Sequence, residues 1–143
     1  MAIDALHGVF AVKIIGPAWL RKLMGDDRYF YELHAVTVGQ PSQNPHDVTD
    51  EEIEQLVVHL KRMPKLEAIY IEGRAVTDTA LRNLKDLQQI ESLRLPETSV
   101  TDRGLDYLAE LRGLKRLDLA GTKVTAEGIR RLQEKLPDCE IDN

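Results

Sequence analysis

The chain has 143 residues, 43% of them hydrophobic and 30% charged, with a formal net charge of -5. That length fits one domain with a single core, and the acidic balance argues against nucleic acid, which calls for a basic face. The lone cysteine, Cys139, excludes an internal disulfide and a cysteine-rich zinc site.

Taken from the start, Ala2 to Leu6 reads as a short helical turn stopped by Gly8, a residue that can adopt the left-handed conformation ending a helix. Val9 to Ile15 reads as a strand. It carries Lys13 and follows no basic run, so it is not read as a signal-peptide core. No segment approaches the roughly 20 apolar residues that span a bilayer. Pro17 suits a first helical position, and the helix Pro17 to Met24 places Leu20, Leu23 and Met24 on one face, with Trp19 beside it. Ala35 to Val38 reads as the first strand of a longer array, and Gly39 to Asp47 as a loop rich in turn formers. Residues 1–47 together are expected to cap the array, because a repeat stack otherwise leaves half a core open at its end.

A repeat follows over residues 48–143. Val76 to Val100 and Val100 to Val124 are each 24 residues, and Leu81, Leu84, Leu87, Ile90, Leu93 and Leu95 recur as Leu105, Leu108, Leu111, Leu114, Leu117 and Leu119. A fixed period with matched apolar positions is the mark of a solenoid. Each unit opens on Val-Thr-Asp or a variant, then predicts a helix and an apolar strand. Thr49 and Glu52 have capping-box spacing, and Asp50, Asp78 and Asp102 sit where negative charge suits the helix dipole. The first unit, Val48 to Val76, is 28 residues; its four extra residues predict one more helical turn. Ala80, Gly104 and Gly128 share one helical position, where glycine costs up to about 1 kcal/mol relative to alanine. Close approach of the neighbouring unit would explain it, and Glu52 at that position predicts more room at the first helix.

The pattern Ile90-x-x-Leu93-x-Leu95-x-x-Thr98-x-Val100 resembles the leucine-rich repeat signature, as do the matching stretches starting at Leu66 and Leu114. The 24-residue spacing, with Val-Thr-Asp-x-Gly-Leu opening a helix, is similar to bacterial leucine-rich repeats of the ribonuclease-inhibitor-like type. Thr98, Thr122 and Arg74 replace the usual asparagine, and Arg74 predicts a loop that is looser or braced differently. The resemblance implies an α/β solenoid with parallel strands on one face and helices on the other, and protein binding without catalysis. The Gly16-Pro17-Ala18-Trp19-Leu20 segment resembles what precedes such repeats in some bacterial proteins, where a membrane anchor lies further upstream. A cytoplasmic domain and an extracytoplasmic one behind such an anchor both fit.

Strand alternation assigns the open sheet face. With Leu93 and Leu95 inward, Tyr70, Glu72, Arg94, Arg116 and Asp118 face out, and the expected column runs Thr37, Tyr70, Arg94, Asp118, Glu140. Tyrosine and arginine are enriched in interface hot spots, so a protein partner centred on Tyr70 and Arg94 is the expected function. A spacer role with a merely solvated face is the alternative. An enzyme site between cap and first repeat, using His34 or His46, is a second, against which stands the lack of any nucleophile–base pair, phosphate loop or metal cluster in the sequence. No cofactor and no metal are expected, and no membrane contact by this segment. Cys139 aligns with the core positions Leu93 and Leu117 and reads as buried. Tyr29-Phe30-Tyr31 reads as cap packing, and His46-Asp47 as a turn. Acidic residues at Asp138, Glu140 and Asp142 should discourage pairing of the last strand with another copy, giving a monomer or a weak dimer through this end that tightens with salt.

Overall fold

The computed structural model describes residues 5–6, 9–14, 35–38 and 48–143. Among the described residues seven strands lie in chain order: β1 (Ala5–Leu6), β2 (Val9–Ile14), β3 (Ala35–Val38), β4 (Ala68–Ile71), β5 (Ser92–Arg94), β6 (Arg116–Asp118) and β7 (Glu140–Asp142). Four helices alternate with the last five strands: α1 (Asp50–Leu60), α2 (Asp78–Leu84), α3 (Asp102–Leu108) and α4 (Ala126–Lys135). From β2 onward every pairing is parallel, and each strand joins the one before it. This is an α/β repeat solenoid.

The start of the chain differs from the sequence reading. Ala5–Leu6 is a strand paired antiparallel with β2, Leu6 opposite Val9, and not a helical turn. Two residues, His7 and Gly8, separate the paired positions, and glycine in a two-residue connection is as good a hairpin signal as a helix stop. The helix expected over Pro17 to Met24 and the loop Gly39 to Asp47 lie outside the described residues.

Seven-residue helices such as α2 and α3 are too short to persist alone, so burial must hold them. Leu81, Leu84, Leu93, Leu95, Leu105, Leu108, Leu117 and Leu119 are each at most 2% exposed, between the helix layer and the sheet. Fully burying one such side chain is worth roughly 1.5–3 kcal/mol. α1 has 11 residues against 7 in α2 and α3, which accounts for the four extra residues of the first unit.

The helix starts are locked to one another. Each helix is preceded by a threonine whose hydroxyl accepts from a backbone N–H of the first turn. In the last three units that threonine also donates backward. The N–H groups of Thr77, Thr101 and Thr125 reach one carboxylate oxygen of Asp50, Asp78 and Asp102, each at 2.7 Å. Their hydroxyls donate to the other oxygen. The aspartates therefore clamp the next unit, a stronger role than the dipole placement the sequence suggests.

This clamp explains the small residues. A Cβ at Gly104 would stand 2.5 Å from Asp78 Oδ1 and 2.8 Å from a Leu81 methyl; at Gly128 it would stand 2.2 Å from Asp102 Oδ1. In the first unit Glu52 occupies the equivalent position and itself accepts the Thr49 N–H at 3.0 Å, closing the capping box. It supplies within one helix the carboxylate that later helices take from the preceding unit.

The three atoms nearest to a Cβ at Gly128 would all belong to the Asp102 carboxylate, so the two positions should couple. Gly128→Ala is expected to destabilise the chain in urea titration, and to become neutral or stabilising once Asp102→Ala removes the obstacle, since alanine is the better helix former. Thr125 holds the Asp102 carboxyl below its ordinary value. The clamp is thus complete above the ordinary carboxylate range and fades as pH falls through the lowered value, where the coupling should fade too. Additive losses at neutral pH would refute the clamp.

Candidate functional site

In-register pairing across β4, β5 and β6 sets Tyr70, Arg94 and Asp118 side by side on the open sheet face. The Arg94 guanidinium carbon lies 5.1 Å from the centre of the Tyr70 ring. Its Nε and Nη2 donate to Asp118 Oδ2 at 3.0 and 2.9 Å. The Tyr70 hydroxyl donates to Glu72 Oε2 at 3.0 Å. Partial burial and that carboxylate raise the Tyr70 phenol above its usual value, so it stays protonated and donating. Asp118 in turn accepts the Ala120 N–H through Oδ1. The row is a stack of ring, cation and carboxylate with each geometry fixed by its neighbour. An exposed cation–π contact contributes about 0.5–1 kcal/mol and an exposed ion pair about 0–1.

The structure brings together four of the five expected residues, Tyr70, Glu72, Arg94 and Asp118. Arg116 shares the face one register step away, beside Ser92 and Glu140, and is exposed. The expected column needs one correction. It ends on Asp142, which pairs with Asp118, and Glu140 sits instead beside Arg116. Thr37 heads the column as expected, opposite Tyr70. The error came from aligning Cys139 with Leu93 and Leu117; the 24-residue spacing holds through β7 and sets Ile141 beside Leu117. Cys139, whose N–H reaches the Leu136 carbonyl, occupies the place of Ile90 and Leu114, and Ile141 that of Leu93 and Leu117.

Glu97 was missed by sequence reasoning. It adopts φ 55°, while the equivalent positions one unit away on either side are Gly73 and Gly121, both with positive φ. Two glycines at one repeat position were the available signal. A non-glycine residue there costs on the order of 1–2 kcal/mol. Its carboxylate lies over Gly121, where a Cβ would meet Oε1 at 2.5 Å, and 3.9 Å from Arg74 at the rim of the face. The Arg74 loop is braced through its backbone, whose carbonyl accepts from the Ser99 hydroxyl at 2.8 Å. Thr98 caps the Leu95 carbonyl at 2.9 Å, but the matching Thr122 hydroxyl is buried without a partner.

Beside the last unit, a groove is lined by Arg112, Lys135, Pro137 and Cys139. Burial, with the Glu140 carboxylate adding, pushes the Cys139 thiol up to about 11, which leaves it uncharged and a poor nucleophile. Among the described residues no His/Cys/Asp/Glu cluster could hold a metal ion, and no helix is long and apolar enough to cross a membrane. His34, His46, Asp47 and the Tyr29-Phe30-Tyr31 cluster lie outside the described residues.

No family model matches the chain, and no curated protein matches it. Among solved structures, it is similar to a leucine-rich repeat protein from Leptospira interrogans, with a TM-score of 0.45 and 18% identity. The match covers 78% of this chain and 38% of that protein, so the chain spans well under half of its length.

Cys139 is 3% exposed, and its chemistry should report on the last unit. A disulfide reagent is expected to label it slowly in the native chain at neutral pH and promptly once urea unfolds the chain. Fast native labelling would mean that the last unit does not close over the thiol.

Proposed function

We propose that the chain is a non-catalytic protein-binding module of ribonuclease-inhibitor-like, 24-residue repeats. In this reading a protein partner docks on the open sheet face, centred on Tyr70 and Arg94, with Glu72, Arg116 and Asp118 at the rim. One observation carries it: an aromatic ring and a guanidinium are stacked and held in place at the surface, in an arrangement the core does not need. Holding the side chains in advance lowers the entropy lost when a partner binds. The strained Glu97 at the same rim supports the reading, since backbone strain concentrates at working surfaces.

The spacer reading draws support from the same row. Arg94 is already neutralised by Asp118, as on any solvated face. The discriminating experiment is affinity capture with the full chain and with Tyr70→Ala/Arg94→Ala. Docking on this face predicts a stability loss in urea titration of at most about 2 kcal/mol and loss of the captured protein. Retention of the same protein in the same yield would leave the spacer reading standing.

Residues 1–47 are proposed to cap residues 48–143. A chain beginning at Val48 is expected to aggregate or melt at lower temperature, because β3 no longer covers β4 and the core beneath it. Unchanged melting as a monomer would overturn the cap assignment.

A further inference from the structure

The last strand offers a second surface, distinct from the Tyr70 row. β7 ends the sheet order among the described residues. The Glu140 N–H donates to the Lys115 carbonyl and the Asp142 carbonyl accepts from Leu119, both at 2.8 Å. In a parallel ladder alternate residues serve opposite sides, so the N–H and C=O of Ile141 point away from β6 and have no partner among the described residues.

Three features of this edge specify what fits it. The first is charge. Along one column the order is Arg94, Asp118, Asp142, and along the next it is Ser92, Arg116, Glu140. Asp118 is already bound to Arg94, so Asp142 has no cation on its β6 side. Both columns end on an exposed carboxylate, and both would be complemented by a cation on a following strand. The second is apolar exposure. Val124, Ile129 and Ile141 are only part-buried, whereas their counterparts one unit back, Val100, Leu105 and Leu117, are 0%, 2% and 1% exposed. The third concerns the clamp. Ala126 stands where Asp50, Asp78 and Asp102 stand, so a further threonine-capped unit would find no carboxylate to grip. A second copy is disfavoured as well, because edge-to-edge pairing would set Glu140 and Asp142 against the same two carboxylates.

We infer that the β7 edge accepts an extended segment of another protein with a basic–apolar–basic pattern. The segment adds as a strand. Its central N–H and C=O pair with Ile141, its apolar side chain lies over Ile141 toward Ile129, and its flanking lysines or arginines meet Glu140 and Asp142. Backbone pairing provides the attraction and alternate side chains the selectivity, as in other strand-addition modes.

The test uses the full chain and a blocked, fluorescent nine-residue peptide of glycine and serine around a central Lys-Val-Lys. Anisotropy should show saturable binding that weakens at least tenfold for Glu-Val-Glu, and comparably when the valine nitrogen is methylated. Glu140→Lys/Asp142→Lys should reverse the preference to Glu-Val-Glu. The Tyr70→Ala/Arg94→Ala variant should bind Lys-Val-Lys as the unaltered chain does, so the two surfaces can fail separately. Equal or absent binding of the two peptides, indifference to methylation, an unreversed preference, or loss in the Tyr70/Arg94 variant would each overturn the inference. So would a dimer in light scattering that the charge reversal dissolves, since it would assign the edge to a second copy.

Discussion

Each clamping aspartate binds the threonine that starts the next helix, through two hydrogen bonds to one carboxylate. Much of the repeat follows from that contact. The threonine must donate and accept at once, which a hydroxyl can do and an ionised carboxylate cannot. The position three residues into the helix must be small: at Gly104 and Gly128 the preceding carboxylate occupies the space of a Cβ, and at Ala80 a single methyl fits beside the Asp50 clamp. Hydrogen bonds to a charged group contribute about 1.5–3 kcal/mol, more than the cost of roughly 1 kcal/mol for a helical glycine. The glycine is the smaller term, and the clamp wins.

With the helix starts fixed, the strands have little freedom of register. Ser92, Arg116 and Glu140 each pair with the residue 24 positions earlier. Side chains on the open face therefore stand in straight columns, and a column can build a stack such as Tyr70, Arg94 and Asp118 from three separate units. The back of the solenoid shows the same logic in exposed charge pairs between units, Lys61 with Asp86, Lys85 with Glu110 and Lys135 with Asp106. Such pairs are weak singly and follow the register that the clamp and the leucine core impose.

The period made the architecture legible, because burial between units demands an apolar residue at the same place in each. The core leucines, the first array strand and the longer α1 could all be read from spacing. Spacing was silent on direction. It placed Asp78 at a helix start but could not reveal that its carboxylate faces Thr101. The period also held at β7, where Asp142 stands 24 residues after Asp118; reading Cys139 as the counterpart of Leu117 left that spacing and put Glu140 in the column of Asp142. On the open face strand alternation identified the side chains but not their mutual bonding, since Arg94 could have pointed to solvent with no loss to the core.

The two kinds of contact separate what the fold needs from what it merely permits. Removing one clamp leaves polar groups of a helix start part-buried and unpaired, a loss felt in stability. Removing Arg94 would undo one exposed ion pair and one cation–π contact, together about 1–2 kcal/mol at most. Glu97 runs against stability altogether, holding a left-handed backbone that glycine fills in the units on either side. Residues retained at little gain, or at a net cost, are the ones a packing argument does not account for. Here Arg94 and Glu97 are such residues, and both stand on or at the rim of the open sheet face.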